Sequence, residues 1–184
     1  MKTYNDTTYA ILGILTTDCR TGYDIKQLID RSLTHFWKIS YGQIYPTLKT
    51  IVEDELATVT ISSQPSKPER KEYHLTAQGK ETLKNWLEEP IKQIPAERNE
   101  ILLKLFFGRH QPKENTVSTL EDYKKKLEAR YLTYINIEES ITANKDHAED
   151  AVYWLFTLDY GKRMTKAAIE WCTNTLEQLL NEGD

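Results

Sequence analysis

The chain has 184 residues, with 24 Lys plus Arg against 28 Asp plus Glu, and its formal net charge is -4. Hydrophobic residues make up 39 % of it, which is enough for a packed core and excludes a mainly disordered polypeptide. The longest apolar run, Ala10 to Leu15, is far shorter than the roughly 20 residues that cross a bilayer, and no signal peptide is recognisable, so we expect a cytoplasmic protein without a membrane span.

Charge is distributed unevenly along the chain. Residues 1–110 carry 15 basic and 14 acidic side chains, whereas residues 111–184 carry 9 and 14, a net -5. An acidic protein can hold an anionic partner only through a local cluster of cations. The first part is therefore the better candidate for contact with nucleic acid.

Three helices are predicted before residue 55. Apolar spacing indicates helices over about 6–16 and 21–31, and a third begins after Ser40, where Gln43 completes a capping-box pattern. Its apolar stripe consists of Ile44, Leu48, Ile51 and Val52. Pro46 then lies inside the third helix, at a cost of up to ~3 kcal/mol, unless the helix starts later. Such a residue favours a surface shaped for a partner.

The pattern changes to short strands after Glu55. Alternating apolar residues around 56–61 and 72–76 predict a hairpin with a Pro-containing tip over 63–70. A fourth helix opens at Thr76 and stops near Pro90. The predicted order of elements is helix, helix, helix, hairpin, helix.

The remainder of the chain is predicted to be helical. A helix begins at Pro95 and is closed by Gly108, and residues 109–115 form a polar connection. Two long helices follow over about 116–143 and 148–181, separated by the polar joint 144–146.

Catalytic and metal-binding patterns are missing from the sequence. The four His are isolated, there is no Cys pair, and neither a phosphate-binding Gly loop nor a nucleophile elbow occurs. Cys19 and Cys172 are expected to be free thiols. We therefore expect neither an enzyme nor a cofactor.

The third helix offers a polar outer face of the kind that enters a DNA major groove. Its outward residues are predicted to be Gly42, Pro46, Lys49, Thr50 and Glu53, with Tyr41, Gln43, Tyr45 and Thr47 on the flanks. An ordinary amphipathic surface helix fits the same pattern. Lys67, Arg70 and Lys71 in the hairpin, together with Lys38, can neutralise phosphates beside that groove.

Four sequence strings resemble the winged helix-turn-helix of PadR-type transcriptional regulators. They are Tyr9-Ala-Ile-Leu-Gly-Ile-Leu, Gly22-Tyr-Asp-Ile, Phe36-Trp-Lys-Ile-Ser-Tyr-Gly-Gln-Ile-Tyr-Pro-Thr-Leu and Lys71-Glu-Tyr-His-Leu-Thr-Ala-Gln-Gly. Residues 98–108, Tyr160-Gly161 and Trp171 are similar to the longer subfamily, whose helical C-terminal domain is related to virulence activators.

This resemblance implies a mainly α protein, with a winged helix-turn-helix over residues 1–90, a connecting helix and loop over 91–115 and a helical dimerisation domain over 116–184. It also implies a homodimeric, ligand-responsive regulator, usually a repressor, that binds inverted repeats in double-stranded promoter DNA. The expected DNA contacts are Lys38, Ser40, Tyr41, Gln43, Pro46, Thr47, Lys49, Thr50, Lys67, Arg70 and Lys71.

A heptad-spaced stripe in the second part predicts a helix-packing seam, either within the chain, against a second chain, or both. The expected seam residues are Leu120, Tyr123, Leu127, Tyr134, Ile141, Trp171 and Leu176. The four Trp and eleven Tyr also provide material for a small aromatic or apolar effector, although core packing explains them equally, and no contact residue can be named.

Two other functions remain open on the sequence. A winged helix can present the same outer face to a protein partner without binding DNA, and the acidic net charge favours that alternative. An enzyme with an aromatic pocket would need a nucleophile, base or metal that the patterns do not provide.

Overall fold

The structure, a computed structural model, describes residues 2–62, 70–94, 97–143 and 148–181. The chain divides into two compact units, residues 1–94 and 95–184. In their described parts, the first contains four α-helices, a short 3-10 helix over Leu33–His35 and a hairpin, and the second is helical. The prediction of a mainly α protein is confirmed.

The first unit has the predicted order of elements. Its bounds are α1 Asp6–Ile14, α2 Gly22–Arg31, α3 Tyr41–Glu53, β1 Ala57–Ser62, β2 Arg70–Leu75 and α4 Ala77–Glu88. Each α-helix begins at a residue whose side chain can accept a hydrogen bond from a free backbone N–H of the first turn. Such capping side chains are the sequence signals for the start of a helix. Asn5, Thr21 and Thr76 accept from backbone N–H groups at the starts of α1, α2 and α4.

The hairpin is antiparallel and is attached to the helices by backbone bonds. Val59 lies opposite Tyr73, and Ser62 opposite Arg70. The Tyr73 N–H donates to the Arg20 carbonyl at 2.8 Å, so the chain between α1 and α2 borders β2. Residues 63–69 of the predicted hairpin tip, including Lys67, lie outside the described residues, whereas Arg70, which was also assigned to the tip, begins β2.

Gly79 allows α4 to approach the start of the hairpin. A Cβ added there would lie 2.0 Å from the Leu56 carbonyl oxygen, a separation that no side chain tolerates. Thr76, the N-cap of α4, donates its backbone N–H to the same carbonyl at 3.0 Å. The start of α4 therefore packs closely against the start of the hairpin and is hydrogen-bonded to it.

One continuous core joins α1, α2, α3 and the hairpin. Ile11, Leu12, Ile25, Leu48 and Ile51 are almost completely buried in it. The stripe predicted for the third helix thus faces inward, which leaves the opposite face of α3 to solvent.

The second unit contains α5 Glu100–Phe106, α6 Lys113–Ala143 and α7 Ala148–Asn181. The predicted start of α5 is wrong. The helix predicted from Pro95 begins at Glu100, because Asn99 accepts the Ile101 N–H and so acts as its cap. The helix does end just before Gly108, as predicted, because Phe107 is its C-cap; Gly108 has no positive φ, however, and opens a short 3-10 turn to His110.

The first long helix also starts earlier than predicted. It begins at Lys113, directly after Pro112, and so includes residues assigned to the polar connection. Proline favours helix starts because its missing N–H would have no helical partner there. The predicted joint 144–146 lies outside the described residues.

Helices α6 and α7 pack against each other side by side. Leu120 and Leu127 of α6 are buried with Cys172 of α7 and Ile101 of α5. Farther along, a Cβ at Gly161 would lie 3.2 Å from the Tyr134 ring, so glycine permits close contact between the helices. Cys19 and Cys172 are free, as predicted. No helix in the described ranges is long and apolar enough to span a membrane.

Candidate nucleic-acid interface

The start of α3 is fixed by the predicted pair Ser40 and Gln43. The Gln43 side-chain oxygen accepts from the Ser40 backbone N–H at 3.0 Å and from its hydroxyl at 2.9 Å. The carboxamide NH₂ of Gln43 remains a donor, and the residue is exposed. A donor fixed near the start of an exposed helix is suited to bonding base edges.

Pro46 lies inside α3, and the helix continues through it from Tyr41 to Glu53. Its missing N–H removes the usual helical partner of the Gly42 carbonyl. The Thr50 hydroxyl donates its hydrogen to the Pro46 carbonyl at 3.1 Å. The hydroxyl oxygen of Thr50 can therefore still accept a hydrogen bond from a ligand. Gly42 and Pro46 are both exposed, so this part of the outer face carries no long side chain.

The predicted contacts on α3 are not equally exposed. Gln43, Pro46, Lys49 and Thr50 are open to solvent, whereas Thr47 is only 9 % exposed, next to buried Leu48. Thr47 belongs with the core edge of the helix, because its position is one step from the inward stripe. The geometry therefore supports Thr47 as a DNA contact less than it supports the four exposed residues.

Tyr45 is a surface residue of α3 that the sequence interpretation placed only on a flank. Its ring is 64 % exposed and lies against the start of α2, where a Cβ on Gly22 would be 2.7 Å from the ring. Glycine at this position therefore makes room for the ring. A Gly-Tyr pair separated by 22 residues carries no local pattern, so sequence spacing could not reveal the contact.

Cations surround this face. Lys38 precedes α3 and is exposed, Lys49 lies 3.6 Å from Glu53 on the helix, and Arg70 of β2 lies 3.0 Å from Glu72. Lys71 is exposed beside Arg70. Exposed pairs of this type contribute little to stability, so the cations can exchange their partners for phosphates at small cost.

A groove of about 410 Å³ lies between α3 and the hairpin. Its surface is mainly apolar, although charged residues are among those that line it. The lining residues are Tyr45, Leu48, Lys49, Val52, Glu53, Val59, Ile61, Lys71 and Tyr73. Burial raises the pKa of the Tyr73 phenol above its ordinary value, with a smaller opposing effect of Lys71, so Tyr73 stays a neutral donor.

The predicted seam residues lie mostly inside the second unit. Leu120, Leu127 and Tyr134 are buried, and Tyr123, Ile141, Trp171 and Leu176 are partly buried. The three buried side chains contact neighbours of their own chain, so they offer no surface to a second one. A different apolar row on α7 is exposed and consists of Tyr153, Phe156, Tyr160 and Met164.

One carboxylate of the second unit is engaged in an ion pair between α6 and α7. Glu138 pairs with Lys162 at 2.6 Å, which holds the pKa of that lysine above its ordinary value through the hydrogen bond. Within the described ranges, no three His, Cys, Asp or Glu side chains are placed to hold a metal ion.

An exposed polar helix beside a two-stranded hairpin, on a core of three helices, defines a winged-helix protein of the DNA-binding type. Residues 11–85 match the Transcriptional regulator PadR-like family, and residues 97–179 match the family Virulence activator alpha C-term. The Negative transcriptional regulator PadR of Bacillus subtilis is 33 % identical over 124 residues, which are 66 % of this chain and 67 % of that protein.

Solved structures agree with this assignment. Bacillus subtilis PadR in complex with operator DNA has a TM-score of 0.83 at 26 % identity, over 95 % of this chain and 99 % of that one. The same regulator in complex with p-coumaric acid has a TM-score of 0.76 at 25 % identity, with the same coverage. The chain belongs to the PadR-like family of transcriptional regulators, which are not enzymes.

Proposed function

We propose that this regulator is a repressor that binds pseudo-palindromic promoter DNA as a homodimer. In this proposal α3 enters the major groove, and the hairpin forms a wing whose cations contact neighbouring phosphates. Residues 1–90 are the DNA-binding domain, 91–115 the connection and 116–184 the dimerisation domain. The exposed polar face of α3 beside Arg70 and Lys71 is the observation that carries the proposal.

The proposed base contacts are polar groups that α3 presents to solvent. The Gln43 carboxamide can donate to a base edge, and Gly42 and Pro46 allow the backbone to approach closely. Lys38, Lys49, Arg70 and Lys71 provide the sequence-independent attraction to phosphates. Repression is proposed because the relative from Bacillus subtilis is described as a negative regulator.

The proposed dimer uses the exposed row on α7 rather than the buried seam. Tyr153, Phe156, Tyr160 and Met164 follow each other at helical spacing, so they form one apolar face. A face of this kind is typical of an interface between chains. In an isologous dimer, the two copies of α3 would contact half-sites about 34 Å apart, one turn of DNA.

We also propose that a small aromatic or apolar effector shifts the affinity for DNA. The support is the p-coumaric acid complex of the Bacillus subtilis relative. Adding p-coumaric acid to a preformed operator complex is the first trial, and we expect dissociation at concentrations that leave complexes of an unrelated repressor intact. No change with this acid, or with a panel of aromatic and aliphatic acids, would contradict the effector proposal.

The wing and recognition helix are tested by titrating operator DNA, obtained by selection from a random pool, against wild type and Lys49→Ala/Arg70→Ala/Lys71→Ala. Each lost phosphate contact should lower the slope of log K against log salt by about 0.9, so the triple variant should lose about 2.7 for each protomer and about 5.4 for the dimer. The matched control removes three exposed lysines elsewhere, Lys80→Ala/Lys84→Ala/Lys92→Ala.

The outcomes separate DNA binding from the protein-interaction alternative. The control triple should bind like wild type, and circular dichroism should show both triples folded. Equal affinity and equal slope for wild type and the interface triple would contradict the wing assignment. If the wild-type protein binds no DNA even at low salt, the results favour a winged helix that presents the same face to a protein partner.

A further inference from the structure

The first residue of α3 is held by two charged side chains of α2. The Tyr41 hydroxyl donates to both carboxylate oxygens of Asp30, at 2.7 and 2.8 Å. The Lys26 ammonium lies 4.3 Å from the centre of the Tyr41 ring. Tyr41 is thus fixed at its hydroxyl by an anion and at its ring by a cation.

This arrangement places a carboxylate within the surface proposed to face DNA. Asp30 is exposed, and its partner Tyr41 is one of the candidate DNA contacts. The hydrogen bond to Asp30 holds the pKa of the Tyr41 phenol above its ordinary value, so the hydroxyl stays a donor that is already engaged. Phosphates that approach the Tyr41 hydroxyl therefore meet the Asp30 carboxylate, whereas the Lys26 ammonium lies at the ring.

A negative charge is not needed to hold the tyrosine. The amide oxygen of an asparagine could accept the same hydroxyl at neutral charge. A carboxylate in its place adds repulsion toward every phosphate, whatever the base sequence. Such a repulsion weakens binding to operator and to unrelated DNA alike.

We propose that Asp30 lowers the affinity of the protein for DNA of any sequence, through charge repulsion, while it positions Tyr41 at the start of the recognition helix. This inference rests on the proposed function. Asp30 would then weaken the attraction between the protein and the DNA phosphates, and its carboxylate would contact no base.

The expected size of the effect follows from Coulomb's law. A unit charge about 7 Å from a phosphate in water changes binding about threefold for each protomer bound. Screening at roughly 0.5 M salt should remove most of this difference, because the Debye length falls well below that distance.

The test compares variants that separate the charge from the hydrogen bond. Asp30→Asn removes the charge and keeps an acceptor, whereas Tyr41→Phe removes the hydrogen bond and keeps the charge. Asp30→Glu retains the charge, and Glu81→Gln removes an exposed carboxylate on α4, outside the proposed interface. Affinity for the selected operator and for unrelated DNA is measured at about 50 mM and about 0.5 M salt, with thermal unfolding as a check of folding.

We expect Asp30→Asn to bind both DNAs about threefold more tightly per protomer at low salt and like wild type at high salt. Tyr41→Phe, Asp30→Glu and Glu81→Gln should show no such gain. Unchanged or weaker binding by folded Asp30→Asn would overturn the inference, as would a change confined to the operator, which would indicate base contact. Should Asp30→Asn not fold, Asp30→Ser replaces it. Absence of DNA binding by wild type would overturn the proposed function instead.

Discussion

The two units of the chain leave very different surfaces outside their cores. In the first, the apolar side of α3 is closed against α1, α2 and the hairpin, and its exposed side carries Gln43 and Lys49. In the second, α7 packs on α6 and still exposes Phe156 and Tyr160 on another side. A polar, cationic surface fits phosphates and base edges, whereas an apolar row fits another protein surface. The difference between the two surfaces is what the proposed function requires, with DNA on the first unit and a second copy of the chain on the second.

The largest effect is expected from breaking the core beneath the polar surface. Leu48→Ala should lower the free energy of unfolding by about 3–5 kcal/mol, because Leu48 is completely buried and its removal leaves a cavity. Urea denaturation monitored by circular dichroism measures the change. Leu102→Ala, at an exposed position of α5, is the control and should cost less than about 1 kcal/mol. Equal losses for both variants would contradict the placement of Leu48 in the core.

The next effect is expected at the apolar surface. Phe156→Glu places a charge on the proposed dimer contact and should weaken dimerisation by about 2–4 kcal/mol, without lowering the helix content. Sedimentation equilibrium measures the dissociation constant. Leu132→Glu changes a comparably exposed residue of α6 and should leave the dimer intact. If Leu132→Glu dissociates the dimer and Phe156→Glu does not, the interface lies elsewhere.

A smaller effect should separate stability from binding in the first unit. Gly22→Ala introduces a Cβ against the Tyr45 ring, and the exposed ring can move aside. We expect stability to change by less than about 1 kcal/mol, because alanine favours the helix, while operator affinity falls by about threefold to tenfold. Tyr45→Ala should weaken binding similarly. Unchanged operator affinity in both variants would exclude the Tyr45 ring from the interface.

The smallest effect concerns the cap of α2. Burial of Asp24 opposes its ionisation, but hydrogen bonds from Thr21 and from the Arg20 N–H hold the pKa of Asp24 below its ordinary value. Its stabilisation is therefore present at pH values above the unfolded pKa and is lost as the pH falls through the lower, folded pKa. Asp24→Asn should cost about 1 kcal/mol at pH 7 and less at pH 3. An equal cost at both pH values would show that ionisation of Asp24 contributes nothing.

Local signals were sufficient to predict the elements of the first unit. Ser40 with Gln43 and Thr76 mark the starts of α3 and α4, and the change from helical to alternating spacing marks the hairpin. The boundary of α5 was missed because Asn99, rather than the proline before it, provides the cap. Short polar side chains near several possible starts compete, and sequence alone does not decide which of them accepts the bond.

The residues of the candidate site could be predicted from the sequence only where they all lie on a single element. The outer face of α3 follows from the helical period of its apolar stripe, and Thr47 shows the limit, since a residue on the flank is decided by packing. The contacts of Tyr41 with Asp30 and of Tyr45 with Gly22 join two elements through the tertiary fold. Likewise, a heptad stripe predicts that Leu127 has a helical neighbour but not which helix it is.

In the proposed dimer, two copies of α3 contact two halves of one DNA site. Hydroxyl-radical footprinting on the operator selected from a random pool measures this directly. We predict two symmetric protected half-sites separated by about one DNA turn, with protection lost together in Phe156→Glu and in the Lys49, Arg70 and Lys71 triple variant. A single unsymmetric footprint that both variants retain would contradict the claim.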